Sequence, residues 1–309
     1  MTTAAPSRTA PSRDTFFLVS RRRLGGLELG PFAGVRRGPG SDLAGSRPYE
    51  PGDDVRTIDW AASARLSSAV GSDQFVVRER FAELAPRVVV VVDRRAEMEL
   101  YAAPWVRKRV AADEAERLIG EAALRARGLV GRVVAHVDGV DWLPPTGNPG
   151  AWRARPVDLA ESPSNAVEAS FTHLARMRAL PAGTFVFVAS DFLAPPPDDV
   201  WLAALRRGWD IVPVVVQDPT WEASFPVDVG GLTLPLADPE TGKTVLRRVG
   251  KEEAAERRRS NERRLADLLA SFAELGMDPV LLAADDPDDV LRAFVRWSEA
   301  RKKPPGRAW

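Results

Sequence analysis

The densest concentration of reactive and recognition-type side chains lies between residues 46 and 65, in SRPYEPGDDVRTIDWAASAR. Pro51 and Gly52 specify a tight turn. Asp53, Asp54 and Asp59 share this short stretch with Arg47, Arg56 and Arg65, and the two sets can pair by charge-assisted hydrogen bonds around Tyr49 and Trp60. Such a cluster either pins an irregular loop to a sheet or presents a recognition surface. Two further carboxylates, Asp93 after Arg87–Val92 and Asp191 after Thr184–Ser190, end strongly apolar runs. A carboxylate there caps the next helix or accepts a salt bridge.

Other signals are weaker. Gly242-Lys243-Thr244 imitates the end of a phosphate-binding loop, but position 237 is Ala where that loop needs Gly, and the triplet sits in a hairpin. His173, three residues after Ser170 and upstream of Asp191, invites comparison with a hydrolase triad, yet no serine occupies a G-x-S-x-G elbow. His136 reads as a satisfied core residue and His173 as surface or packing. Arg257, Arg258, Arg259, Arg263 and Arg264 give one helix a basic face interleaved with Glu252, Glu253, Glu256 and Glu262, which pairing at four-residue spacing explains. Trp201 and Trp209 read as packing residues rather than a base-stacking platform.

Alternating strands and helices must position these groups. Arg87–Asp93 reads as a strand buried on both faces, followed by a helix within Trp105–Arg127 that Gly128 terminates. Arg132–Val137, Thr184–Ser190, Ile211–Val216 and Pro279–Leu282 are the next strands. Helices are expected over 165–178, 198–207, 251–275 and from Asp286-Pro287, an N-cap with proline at the first helical position, to about Ala300. This order specifies an α/β fold with a doubly wound, mostly parallel sheet. Residues 1–15 read as a disordered tail, 16–85 as a β-rich segment of short strands and turns, 86–300 as the α/β domain with a hairpin insertion at 221–249, and 301–309 as a basic tail.

Composition excludes several classes of function. Among 309 residues, 43 Lys and Arg balance 43 Asp and Glu, which argues against a chain that coats nucleic acid or an anionic membrane. There is no cysteine, so thiol nucleophiles, disulfides and thiolate metal sites are excluded, and only two histidines are present. The longest aliphatic run, Val88–Val92, falls far short of the roughly 20 residues that span a bilayer. No cofactor is indicated, and a reducing, cytoplasmic location is expected.

The 46–65 segment resembles the signature of domain of unknown function 58, R-x-Y-x-P-G-D-D-x-R-x-I-D-W-x-x-S-A-R. Every fixed letter is present, at Arg47, Tyr49, Pro51, Gly52, Asp53, Asp54, Arg56, Ile58, Asp59, Trp60, Ser63, Ala64 and Arg65. Val77-Arg78-Glu79, Glu83 and Asp238-Pro-Glu-Thr-Gly242 resemble further motifs of that family. The resemblance implies a von Willebrand factor A-like domain and a partnership with a MoxR-type AAA+ ATPase acting on client proteins. Many relatives carry transmembrane segments ahead of the motif, and none is read here. Von Willebrand factor A domains hold Mg²⁺ at the strand ends through D-x-S-x-S, a Thr and a later Asp. Asp93 and Asp191 match the carboxylates, and Ser164 stands in for the Thr. Arg95 and Glu97 replace the two serines. Because a guanidinium cannot ligate a metal and competes for both carboxylates, the resemblance implies a degenerate, metal-free site and a non-catalytic interaction module. A metal-dependent adhesion-type binder, with Glu97 as a replacement ligand, and a hydrolase are the alternatives.

Overall fold

In the computed structural model, residues 15–21, 32–37, 43–101, 104–154, 162–177, 180–237 and 243–302 are described. The chain first builds a small antiparallel sheet of β1 (Phe32–Arg37), β2 (Leu43–Pro48) and β3 (Val76–Leu84), in the order β1-β3-β2. Between β2 and β3 lies α1 (Trp60–Val70), an eleven-residue helix where the composition suggested only strands and turns. Its sequence gives no apolar stripe to read, and Ser63 is its only buried residue among those described. Caps define it instead: the Asp59 carboxylate accepts from Ala62 N–H at 3.0 Å, and Gly71 closes it at φ +74°.

β4 (Arg87–Val92) starts the main sheet, and α2 (Lys108–Arg125), β5 (Leu129–His136), β6 (Gly139–Thr146), α3 (Pro149–Arg153), α4 (Ala166–Arg176), β7 (Phe185–Ser190), α5 (Asp198–Arg206) and β8 (Asp210–Val216) follow. A hairpin of β9 (Thr233–Ala237) and β10 (Thr244–Arg248) precedes α6 (Lys251–Glu274), β11 (Val280–Leu282) and α7 (Pro287–Lys302). The six strands run in the order β11-β8-β7-β4-β5-β6, parallel except for β6. β6 follows β5 through a tight turn at Val137-Asp138 and is not among the strands expected from the sequence. Pro144 and Pro145 fall where the β5–β6 register shifts, between the Val130–Thr146 and Arg132–Leu143 pairs, an irregularity on an edge strand that tolerates proline.

The valine run of β4 alternates between the two faces of the sheet. Val88, Val90 and Val92 pack with Ala115, Leu118 and Ile119 of α2 and Phe294 and Trp297 of α7. Val89 and Val91 pack with Phe171 of α4, Trp201 of α5 and Phe272 of α6. Burial of both faces explains why β4 is uniformly apolar. Trp201 and Trp209 are core residues, as expected. One close approach demands glycine: a Cβ on Gly120 of α2 would lie 2.0 Å from the Trp152 indole nitrogen.

The ends of the described chain meet. Phe16 and Leu18, at the start of the 16–85 segment, are buried against the α/β domain, and Thr15 beside them is buried too. Phe16 stacks on Phe294 at 4.7 Å and meets Trp297 edge-on at 6.0 Å. Arg301, placed by sequence in a basic tail, instead lies in the last turn of α7 and is buried. Its guanidinium binds both Asp210 carboxylate oxygens at 3.0 Å and donates to the Val19 carbonyl at 3.0 Å. Residues 1–14 and 303–309 lie outside the described residues, as does the 238–242 motif.

Candidate functional site

β4 and β7 are neighbours in the sheet, and the chain leaves them in opposite directions: from β4 toward β5, from β7 toward β8. Their carboxyl ends flank the position where strand order reverses, the usual ligand crevice of an open α/β sheet. Asp93 follows β4 and Asp191 follows β7, and the Asp93 N–H donates to the Ala189 carbonyl at 2.9 Å. Both carboxylates are wholly buried.

Arg95 lies between them. Its Nε is 3.0 Å from each Asp93 oxygen, and its Nη2 donates to Asp93 Oδ2 at 2.7 Å and to Asp191 Oδ1 at 3.1 Å. The backbone closes the arrangement: Arg95 N–H donates to Asp93 Oδ1 at 3.0 Å, and Leu193 N–H to Asp191 Oδ1 at 3.1 Å. Ser190 Oγ donates to Asp93 Oδ2 at 2.7 Å and accepts from Phe192 N–H at 3.1 Å. Burial opposes the Arg95 charge, but the bonds from Asp93 and the fields of Asp93, Asp191 and Glu97 outweigh it and hold its pKa above the usual arginine value.

A second cation went unrecognised in the sequence. Lys108, the first residue of α2, is completely buried, and its Nζ is 2.8 Å from Asp191 Oδ2 and 2.6 Å from Glu222 Oε1. Glu222 Oε2 accepts from Asp218 N–H at 2.9 Å, Asp218 Oδ2 accepts from Val106 N–H at 2.9 Å, and Gln217 Nε2 donates to the Asp191 carbonyl at 2.6 Å. Burial pushes the Glu222 carboxyl above the usual glutamate range, against the pull of Lys108. Tyr101, at φ +66°, stacks on Trp221 at 6.5 Å. Burial, with Glu222 and Asp218 adding to it, raises its phenol to about 12.

This geometry does not fit a divalent cation. A hard metal needs several free oxygen ligands. Here Asp93 and Asp191 already satisfy Arg95, and the oxygens of Asp191 and Glu222 that converge on one point converge on the Lys108 ammonium. Ser164 is exposed on the turn before α4 and has no hydrogen bond to this network. Glu97 lies half-buried on a short 3-10 helix after Arg95, and it acts on Arg95 through its field. The expected strand-end cleft is therefore an internal ion-pair network.

The 46–65 segment is also cross-linked, though by different pairs. Pro51 and Gly52, the latter at φ +112°, form a turn closed by Asp53 N–H to the Glu50 carbonyl at 3.0 Å. Arg47 grips Asp53 with a two-pronged pair at 2.7 and 2.6 Å. Arg56 pairs with Asp54 at 3.3 Å in full view of solvent. Asp59 pairs with Arg78 of β3 at 2.8 Å rather than with Arg65, which is exposed. Arg78, together with the Ala62 N–H, holds the Asp59 carboxyl down at about 2. The Ser63 hydroxyl donates to the Asp59 carbonyl at 2.7 Å and accepts from Val76 N–H at 2.9 Å, riveting α1 to β3. The side chains of Glu79 and Glu83 lie outside the described residues.

Beside the exposed Arg56 and Arg65, this segment leaves large apolar side chains outside. Trp60 is 64% exposed, Val55 60% and Val70 58%. Phe75 is exposed between Trp60 and Tyr49, meeting their rings edge-on at 6.1 and 6.4 Å. Elsewhere, His136 is half-buried at the end of β5 with its Nδ1 unpartnered among the described residues, not a satisfied core residue. His173 packs against Trp142 at 5.7 Å. It has no ion pair or hydrogen bond with Asp191.

Residues 45–267 match the family described as protein of unknown function DUF58. The chain belongs to that family. Over 92 residues it is 35% identical to uncharacterized proteins of Mycobacterium tuberculosis and Mycobacterium bovis, a match covering 30% of this chain and 27% of those relatives. Among solved structures it is similar to an aerotolerance-related membrane protein from Bacteroides fragilis, at 15% identity and a TM-score of 0.38, covering 70% of this chain and 99% of that one. A conserved hypothetical protein, BatB, from Bacteroides thetaiotaomicron matches at 12% identity and a TM-score of 0.33, covering 62% of this chain and 98% of its own. Among the described residues, no helix of this DUF58 protein is long and apolar enough to cross a membrane.

Proposed function

We propose that this DUF58 protein is a non-catalytic interaction module with a von Willebrand factor A-like sheet. In this reading it serves in the cytoplasm as an adaptor or cofactor of a MoxR-type AAA+ ATPase that assembles or remodels client proteins. The observation that carries the reading is the apolar face of the signature segment. Trp60, Val55, Val70 and Phe75 stand exposed on a scaffold held by the Arg47–Asp53 pair and the bonds of the Ser63 hydroxyl. Exposed tryptophan beside phenylalanine, set on cross-linked backbone, is the composition of an interface anchor. The switch-point residues support the same reading from the other side, because Arg95 and Lys108 already satisfy the carboxylates that would otherwise recruit a metal or a partner's cation.

Co-purification with a co-expressed MoxR-type AAA+ ATPase from the same host tests the proposal. Trp60→Ala, which removes a mostly exposed ring and its edge contact with Phe75, is expected to abolish the complex while lowering the melting temperature only slightly. Arg95→Ala is expected to lower stability and, in the fraction that folds, to retain the complex. Undiminished complex with Trp60→Ala removes this face from the reading, and no complex with the wild-type chain removes the adaptor role itself.

A further inference from the structure

The hairpin of β9 and β10 stands apart from the main sheet as a two-stranded ladder, and a ladder of two strands is marginal without packing. It is fastened at its base, where Leu234 packs on Phe225, Val249 and Ala254, and Arg247 pairs with Glu253 of α6 at 2.9 Å. Beyond that base it is bare. All of β10 is exposed, with Leu246 at 72% and Val245 at 63%.

The two edges of this ladder differ. Val249 N–H donates to the Leu232 carbonyl at 2.9 Å, which places residue 249 in a bonded pair facing β9. Bonding alternates along an antiparallel ladder, so Arg247 and Val245 also face β9, whereas Thr244, Leu246 and Arg248 turn their N–H and C=O groups outward. Pro235 sits directly opposite Leu246. Its missing N–H therefore falls on the outer side of β9, where it blocks pairing. β10 carries no such block, and among the described residues its one strand neighbour is β9.

We propose that the outer edge of β10 is a strand-addition site for an extended, acidic segment of a partner protein. Main-chain bonds from Thr244, Leu246 and Arg248 set the register, and side chains on the shared face select the sequence. Leu246 offers an apolar neighbour. Arg248 is exposed and forms no ion pair with the described residues, so a carboxylate beside it is favoured. A second copy of this chain supplies no such carboxylate. Antiparallel self-pairing of the two outward edges centres Leu246 on Leu246 and sets Thr244 of one copy against Arg248 of the other. The site is separate from the signature face and stands whether or not that face binds an ATPase.

The probe is a blocked heptapeptide, Glu-Val-Thr-Val-Thr-Val-Glu, with a counterpart in which Lys replaces both Glu. Titrated to millimolar concentration into the ¹⁵N-labelled full chain, the acidic peptide is expected to shift and protect the amides of Thr244, Leu246 and Arg248, and those of Val245 and Arg247 much less. Leu246→Pro, which removes an outward donor and no β9 bond, is expected to weaken binding at least tenfold at an unchanged melting temperature. Arg248→Glu is expected to reverse the preference between the peptides, and it decides the matter if the proline variant does not fold. Absence of changes at these amides, or equal binding of the two peptides, overturns the proposal. Protection of the same amides that rises with protein concentration alone overturns the choice of occupant in favour of a second copy.

Discussion

Replacing Lys108 by Met is the sharpest probe of the switch-point network. The ammonium makes two charge-assisted contacts, at 2.8 Å to Asp191 and 2.6 Å to Glu222, with no solvent access. Each is worth about 1.5–3 kcal/mol, and breaking a buried pair by removing one partner costs about 3–5 kcal/mol in total. The two carboxylates are not stranded equally. Asp191 keeps Arg95 and the Leu193 N–H, whereas Glu222 keeps only the Asp218 N–H. Glu222, whose pKa burial already raises and Lys108 lowers, is therefore the group that takes up a proton. An acid whose folded pKa is raised stabilises the native state below its unfolded pKa and loses that stability as pH rises through the folded value. The Lys108→Met penalty should thus be about 3–5 kcal/mol at pH 8 and smaller at pH 5, by about 1.4 kcal/mol for each unit of further upward shift. Urea titrations followed by tryptophan fluorescence at both pH values measure it. Adding Glu222→Gln, which needs no counter-ion, should recover part of the loss at pH 8. A penalty below about 1 kcal/mol that is equal at both pH values would show that the ammonium does not neutralise this carboxyl pair.

Three other expectations follow from the same geometry. Millimolar Mg²⁺ should leave the melting temperature of the wild-type chain unmoved, because Arg95 and Lys108 hold the oxygens that a cation would need; a saturable upward shift lost in Asp93→Ala would contradict this. Gly120→Ala drives a methyl into the Trp152 indole and should cost about 1–3 kcal/mol or more in denaturant titrations, with a smaller loss in a Trp152→Leu background. The Asp59 carboxyl should titrate near 2 by NMR and return toward ordinary aspartate values in Arg78→Met; because the shift is downward, its contribution is present at neutral pH and is lost as the pH falls toward 2.

The main sheet was legible because its strands are buried on both faces and its helices bury one, so that apolar runs and helical periods alternate in the text as the elements do in space. The elements that escaped are those not organised by burial. α1 is held by the Asp59 carboxylate, the Ser63 hydroxyl and Gly71, and β6 carries two prolines at an irregularity of its ladder. At the site, Asp93, Arg95 and Asp191 were found from their places at strand ends. Lys108 and Glu222 were not, because their ion pair joins residues 114 positions apart and each looks, locally, like an ordinary surface charge. Asp59 was grouped only with the arginines of its own segment, whereas its partner, Arg78, comes from β3, beside it once the sheet has folded.

The clasp between the two ends of the described chain also has a consequence for biosynthesis. Arg301 donates to the carbonyl of Val19 across 282 positions, and Phe16 rests on Phe294 and Trp297. A ribosome delivers residues 15–21 early and the helix that receives them at the far end of the sequence. Until residue 301 has emerged, the nascent chain holds Phe16 and Leu18 without their binding surface, and one face of the sheet waits for its last helix. Contacts of such long sequence separation form slowly and leave apolar surface open in the interval. A nick in the chain between residues 21 and 287 would leave this clasp joining the fragments noncovalently.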